Sequence, residues 1–305
     1  MTALTIAPPS GEILIRGGFD LAAAARFLTG FAPAGRPEAG AEPGALRVAF
    51  PVDGAWTPVG AVLRQRSPDV VEVEVHGPEE HTEAALAQVT RMCSLDVDGT
   101  EFPEAGSRDP VVSLLQDLHP GLRPVLFASP YEAACWAVLS HRIWMTQAVR
   151  LRRRLTERHG TEVDVGGVRL PSFPAPRELA KLEYLPGTPA HKLQRLRGIA
   201  QAAADGLLDA AALRAMPAEE ALKQLQQLPG VGRFSAELIL IRGAGHPDVF
   251  PRGESRLHEI MREAYHLPDA GVGELAEIAE AWAPFRSWAS FLFRVEGEAR
   301  MRESR

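Results

Sequence analysis

Residues 225–236 read Leu225-Gln226-Gln227-Leu228-Pro229-Gly230-Val231-Gly232-Arg233-Phe234-Ser235-Ala236, and the rest of the chain is organised around them. Apolar residues at Leu225, Leu228 and Val231, a Gly-Val-Gly turn, and Ala236 four residues beyond the second glycine describe two short helices closed by a tight bend. Glycine lets the backbone turn sharply and approach a ligand with no Cβ in the way. The amides of Val231, Gly232 and Arg233 then open a helix predicted over residues 233–242. Unpaired N–H groups and the helix dipole favour an anion there, a phosphate being the natural guest. A glycine pair alone also serves any ordinary αα-hairpin, so the continuation decides the reading.

That continuation is a break at Gly243-Ala244-Gly245 followed by Pro247-Asp248-Val249-Phe250-Pro251-Arg252-Gly253-Glu254. With it, the chain resembles the helix-hairpin-helix DNA glycosylases, and among them the alkylated-base, 3-methyladenine DNA glycosylase II-like branch. Members carry Leu-Pro-Gly-(Val/Ile)-Gly-x-(Trp/Phe)-(Thr/Ser)-Ala and then Asp-x-Phe-Pro-x-x-Asp, whose last aspartate is catalytic. The match is complete except at that last position, which is Glu254. Further matches are Pro130-Tyr131-Glu132-Ala133, Ala137-Val138-Leu139-Ser140, Phe173-Pro174-Ala175-Pro176, and Trp282-Ala283-Pro284-Phe285-Arg286-Ser287-Trp288-Ala289. They run from about residue 127 to 292, with none in the first hundred residues.

The resemblance implies an α+β protein. A small N-terminal antiparallel α/β domain, residues 1–108, precedes an all-α helix-hairpin-helix glycosylase domain, residues 109–305, with two helical lobes and the active-site cleft between them. It also implies DNA contact by Gly230, Val231, Gly232, Arg233 and Ser235. His141 and Arg142 stand where the family has a glutamine pair entering the minor groove. A guanidinium can lie in a narrow groove but does not plug a gap as an apolar wedge does. The base pocket is expected from Trp144, Phe234, Trp288 and Arg294, although each aromatic also suits core packing. Arg294 replaces a family aromatic, and a cation there repels a positively charged alkylated purine.

Cleavage of an N-glycosidic bond leaves positive charge on the sugar, so the chemistry needs a carboxylate that stabilises an oxocarbenium-like centre or positions water. Glu254 supplies one, on a side chain longer than aspartate by one methylene, about 1.5 Å at most. A displacement of that size can cost roughly a hundredfold in rate. The expected activity is a monofunctional DNA glycosylase. Relatives that also cut the strand carry a Schiff-base lysine two residues after the second hairpin glycine, where this chain has Phe234. The alternative is a relative that binds damaged DNA without cleaving it. No cofactor or catalytic metal is expected, while the backbone carbonyls of Gln226, Leu228 and Val231 offer a place for a monovalent cation beside a phosphate. The expected partner is double-stranded DNA containing damaged bases, bound by a monomer.

Composition is consistent with this reading. The 305 residues are 46% hydrophobic and 24% charged, enough for a substantial core. A net charge of -6 argues against coating nucleic acid by bulk electrostatics and points to modest, salt-sensitive binding through few phosphate contacts. The two cysteines, Cys93 and Cys135, have no Cys-x-x-Cys spacing and are expected as small buried residues, which disfavours a disulfide framework, a zinc site or an iron–sulfur cluster. Residues 1–10 lack a basic opening and a long apolar run, so a cytoplasmic protein with no membrane partner is expected.

Strands are predicted at residues 13–15, 46–50, 61–63 and 70–75, the last alternating apolar and polar residues. Residues 19–29, with Asp20 as N-cap, and 79–92 read as helices, and residues 31–44 as a mobile loop. From Asp109 onward the texture is helical, with residues 130–159 as one long helix opened by Ser129 and Pro130. The arginine run at 150, 152, 153, 154 and 158 spreads around that helix as a solvated face.

Overall fold

The computed structural model describes residues 10–30 and 44–303. The expected loop at 31–44 therefore lies, apart from Gly44, outside the described residues. Four antiparallel strands, β1 (Ser10–Leu14), β2 (Ala45–Pro51), β3 (Pro58–Ser67) and β4 (Val70–His76), form one sheet in the order β1-β4-β3-β2. In β4 the alternation read from the sequence becomes alternating burial, with Val71, Val73 and Val75 facing the core. Helices α1 (Leu21–Gly30) and α2 (Thr82–Met92) accompany this sheet, and the Asp20 carboxylate accepts the Ala22 amide as α1 begins.

Strand β2 is buried on both faces. Its second cover corrects the all-α reading of residues 109–305. A hairpin of β5 (Thr161–Val165) and β6 (Val168–Ser172) lies against the sheet, burying Val165 and Leu170 over Ala45, Ala49 and Val62. Gly60 makes the approach possible, because a Cβ there would overlap Val165.

The predicted long helix over 130–159 is two helices, α5 (Pro130–Ser140) and α6 (Met145–His159). Ser129 caps α5 as expected, its hydroxyl accepting the Glu132 amide at 3.0 Å. Pro130 through Leu139 are all buried, so α5 is a core helix rather than a surface one. Two interactions end it. The buried Lys192 amine donates to the Leu139 carbonyl at 2.7 Å, and Arg142 adopts φ +54°, which turns the chain between the helices. An ion pair between Arg152 and the buried Glu132 then holds α6 against α5.

The sheet shares one continuous core with α5, α7 (Pro176–Ala180), α8 (Ala190–Ala204), α9 (Ala210–Ala215) and the hairpin helices. A second core joins α3 (Phe102–Arg108) and α4 (Pro110–Leu118) to α12 (Ser255–Ala264), α13 (Val272–Ala279) and α14 (Arg286–Glu303), so α3 packs with the C-terminal helices. Asp109 organises that second core. One carboxylate oxygen accepts the Val111 and Val112 amides at the start of α4, and the other accepts the Tyr265 hydroxyl at 2.5 Å and the Trp282 indole at 2.8 Å. Burial and the adjacent Asp109 push the Tyr265 hydroxyl well above its ordinary range. Asp109→Ala removes a helix cap and leaves the buried Trp282 indole and the half-buried Tyr265 hydroxyl unpaired, so a loss of about 3 kcal/mol is expected in urea unfolding. A loss below about 1 kcal/mol would contradict this account of the second core.

Candidate active site

Helices α10 (Ala218–Leu225) and α11 (Arg233–Leu238) form the hairpin predicted from the central stretch. Gly230 sits at φ +80°, and the Val231 amide donates to the Leu228 carbonyl at 3.1 Å to close the bend. Of the three amides expected to face an anion, Val231's is therefore occupied, leaving those of Gly232 and Arg233 at the helix start. Around the position of a Gly232 Cβ nothing lies within 4 Å, so the bend is open on that side. A Cβ on Gly230 would meet Cδ of Arg195 at 2.6 Å, which places that α8 arginine directly against the bend.

The helix predicted over 233–242 changes character after Leu238. It widens into a π-helical segment, Ile239–Ala244, that ends at Gly245 with φ +81°. Gly243 there packs on Pro130, where a Cβ would come within 2.7 Å of backbone. Residues 246–254 then cross to α12 with little regular structure, held at both ends. At the first end, Arg286 at the start of α14 grips Asp248 in a fork, Nε to Oδ1 at 2.7 Å and Nη2 to Oδ2 at 2.8 Å. Beside it the Ser287 hydroxyl accepts the Val249 amide at 2.9 Å. At the other end, the buried carboxylate of Glu237 on α11 accepts the Gly253 amide at 2.8 Å and Arg233 Nε at 2.7 Å. Gly253 rests on Phe234 so closely that a Cβ would stand 3.0 Å from Phe234 Cα.

Glu254 follows at the N-cap of α12, its side chain 26% exposed. It borders a cleft of about 560 Å³. Phe234 and Leu238 from α11 form one wall, Trp136, Ser140 and Met145 another, and Phe27 and Phe291 a third. Arg294 on α14 crosses the space, with Nε 2.5 Å from Glu254 Oε1 and Nη2 3.1 Å from Glu298 Oε1. Glu254 Oε2 makes no hydrogen bond among the described residues. Arg242 also lines the cleft, its charged group over the rings of Phe27 (5.4 Å) and Phe291 (5.1 Å) while Nη2 donates to the Val125 carbonyl. Burial depresses the Arg242 guanidinium to about 10, with Glu254 and Glu298 opposing that fall. The cleft thus sets the carboxylates of Glu237, Glu254 and Glu298 against the guanidinium groups of Arg242, Arg256 and Arg294 among aromatic side chains. Among the described residues no cluster of histidine, cysteine or acidic side chains is arranged to hold a metal ion, and no helix is long and apolar enough to cross a membrane. Cys93 and Cys135 are both buried and unbridged.

No protein-family model matches the chain. The DNA-3-methyladenine glycosylase of Bacillus subtilis strain 168 is 30% identical over 214 residues, covering 66% of this chain and 68% of the relative. The chain belongs to the DNA-3-methyladenine glycosylase family. A Mycobacterium tuberculosis H37Rv relative named as a probable bifunctional transcriptional activator/DNA repair enzyme, AlkA, is 31% identical over 212 residues, 68% of this chain, and the match spans only 41% of that longer protein. Among solved structures, the 3-methyladenine DNA glycosylase from Archaeoglobus fulgidus shares the fold at a TM-score of 0.76 and 22% identity, with 93% of this chain and 96% of that one covered.

Within this glycosylase fold, the structure gathers Glu254, Phe234 and Arg294 at one cleft. Arg294 does not stand there as an isolated cation, since Glu254 and Glu298 flank it. Two expected pocket residues do not line the cleft. Trp288 is buried against Phe102, Phe285 and Arg123, because its face of α14 turns inward. Trp144 stands in the turn before α6 and points into solvent. Trp282, like Trp288, is buried, lying against Phe250 and Phe293. His141 and Arg142 are exposed in the α5–α6 turn. Ser235 and Arg233 lie on the first turn of α11, with Arg233 engaged by Glu219 and Glu237. The sequence reading missed Phe27, Phe291, Arg242, Glu237 and Glu298. The i, i+3 spacing of Phe291 and Arg294 was a usable signal for the first of the α14 pair, and the four-residue spacing of Phe234, Leu238 and Arg242 was one for Arg242; Phe27 arrives from a distant segment and carries none.

Burial alone would raise the Asp248 carboxyl, but the hydrogen bonds and charge of Arg286 outweigh it and hold the group below its usual range. The pair therefore contributes stability that is present above the unfolded carboxyl value of about 4 and is lost as pH falls through the lower folded value. Asp248→Asn is expected to cost about 2 kcal/mol at neutral pH, and the gap from the wild type should shrink as both are unfolded at successively lower pH below about 4. A gap that does not change with pH would contradict the ionic account.

Proposed function

We propose that the protein is a monofunctional DNA glycosylase that acts as a monomer on double-stranded DNA, hydrolysing the N-glycosidic bond of alkylated or otherwise damaged bases in base excision repair. The observation that carries the reading is the carboxylate of Glu254 at an aromatic-walled cleft, tied through Gly253 and Glu237 to the hairpin helix. A phosphate on the Gly232 and Arg233 amides, beside Arg195, would hold the strand so that an extruded nucleotide reaches the cleft. Trp136, Phe234 and Phe291 offer faces for the base. As the C1′–N bond breaks, its electron pair leaves with the base, and the cationic sugar is stabilised by Glu254 until water adds at C1′ and passes a proton to that carboxylate. The oxygen suited to that role is Oε2, because Oε1 is held by Arg294. The extra methylene of glutamate is thereby given a fixed direction, which supports catalysis with adjusted geometry. Phe234 at the position of the strand-cutting lysine supports base release without strand cleavage. The four-stranded sheet braces this domain through the core it shares with α5 and the hairpin helices. The carbonyls of Gln226, Leu228 and Val231 suit a hard monovalent cation, and no step depends on one.

A second reading, damage recognition without cleavage, draws on the same ion pair, since Arg294 offsets the charge that would stabilise the sugar. One assay on duplexes bearing alkylated and deaminated bases, measuring binding and abasic-site formation together, separates the two. Glu254→Gln is expected to lower base release at least about a hundredfold while binding to an abasic-site duplex stays near wild type, and borohydride should trap no covalent adduct. Release unchanged in Glu254→Gln would overturn the role of this carboxylate, and tight binding by the wild type with no release on any lesion would favour the second reading.

A further inference from the structure

Helix α14 presents one stripe to the cleft, to which Ser290, Phe291 and Arg294 belong. Two atoms of that stripe, Ser290 Oγ and Arg294 Nη1, are buried and have no hydrogen-bond partner among the described residues. A serine within a helix ordinarily turns its hydroxyl back to the carbonyl four residues before it, as Ser140 does toward Trp136. Ser290, only 3% exposed, does not. A buried polar group without a partner is costly, so two of them lining one cavity point to a guest that completes both.

The chemistry of that guest follows from what is left open. Arg294 commits Nε to Glu254 and Nη2 to Glu298, so Nη1 is the donor that remains. The Ser290 hydroxyl lies one turn before it on the same helix and donates as well. Together they suit a ligand edge with two adjacent acceptors. The aromatic walls point the same way. A base with a fixed positive charge is attracted to open ring faces. At Phe27 and Phe291 that attraction is already engaged by the guanidinium of Arg242, 5.4 and 5.1 Å from the ring centres. The carboxylates that would offset a further cation, Glu254 and Glu298, are both held by Arg294. An uncharged base meets no such repulsion.

Resting on the DNA-glycosylase reading above, we propose that Ser290 and Arg294 select uncharged 6-oxopurines, a deaminated class of damaged base, over purines alkylated to a fixed positive charge. A 6-oxopurine presents O6 and N7 as adjacent acceptors, the pattern that arginine reads on guanine. Guanine itself is firmly paired with cytosine. Hypoxanthine, formed by deamination of adenine, stands opposite thymine as a mismatch and costs less to extrude. Alkylation at N7 removes one acceptor and adds the charge, so such a base is disfavoured on both counts.

The test is single-turnover base release at saturating enzyme from duplexes carrying hypoxanthine, unsubstituted purine or 7-methylguanine, each rate divided by the uncatalysed rate for the same duplex. The enhancement is expected to be at least about tenfold larger for hypoxanthine than for either of the others. Ser290→Ala leaves the Arg294–Glu254 pair in place and is expected to lower hypoxanthine release about tenfold, with 7-methylguanine release nearly unchanged. Arg294→Gln removes the charge and also frees Glu254, a loss that falls on both lesions alike. The ratio of the hypoxanthine to the 7-methylguanine enhancement is therefore the quantity read, and it is expected to fall about tenfold. An enhancement for 7-methylguanine equal to or above that for hypoxanthine, or a ratio unchanged in both variants, would overturn the selection while leaving the glycosylase reading intact. Release of no lesion base by the wild type would sink that reading and the selection with it.

Discussion

The buried carboxylate of Glu237 is the contact on which the geometry of the cleft depends. One of its oxygens holds Arg233 at the start of the hairpin helix and the other holds the amide of Gly253, the residue before Glu254. Residues 246–254 have almost no regular hydrogen bonding of their own, so their path is set by what grips them. Glu237 fixes the far end, and the Arg286 fork on Asp248 fixes the near end. The hairpin and the carboxylate at position 254 are thus parts of one rigid arrangement, which is what positional catalysis requires, because an error of about 1 Å is expensive in rate.

The two departures that the resemblance implies, at positions 254 and 294, meet in the fold. Glu254 is longer than the usual aspartate, and Arg294 stands where an aromatic is expected; in the folded protein their side chains meet at 2.5 Å. The arginine gives the longer acid a defined direction, and Glu298 shares the arginine's charge. Arg242, lying against a pair of phenylalanine rings that touch edge to face, adds a further positive group to the cleft. Charges of both signs are therefore balanced at close range in a partly desolvated space, where Coulomb interactions are stronger than in water.

The parts legible in the sequence are those set by local chemistry. Gly230 and Gly232 require a bend, Asp248 through Glu254 spell a loop, and the period-2 run at 70–75 spells a strand. The break after Ser140 was hidden because both flanks are good helix, and the groups that end α5 are a left-handed Arg142 and an amine from Lys192, 53 residues from the Leu139 carbonyl that it holds. The β5–β6 hairpin did leave a mark, Gly166-Gly167 between alternating runs, which a helix-weighted reading of that half overlooks. For Trp144 and Trp288 the residue type was informative but the facing was not. Which side of a helix meets the core is decided by partners such as Phe102 and Arg123, far away in sequence.

The most direct measurement is a crystal structure of the protein bound to a duplex in which a cationic pyrrolidine replaces the target sugar. The account predicts the pyrrolidine nitrogen within hydrogen-bond reach of Glu254 Oε2, with the neighbouring phosphate on the Gly232 and Arg233 amides. A sugar mimic seated elsewhere, with Glu254 engaged only by Arg294, would contradict it.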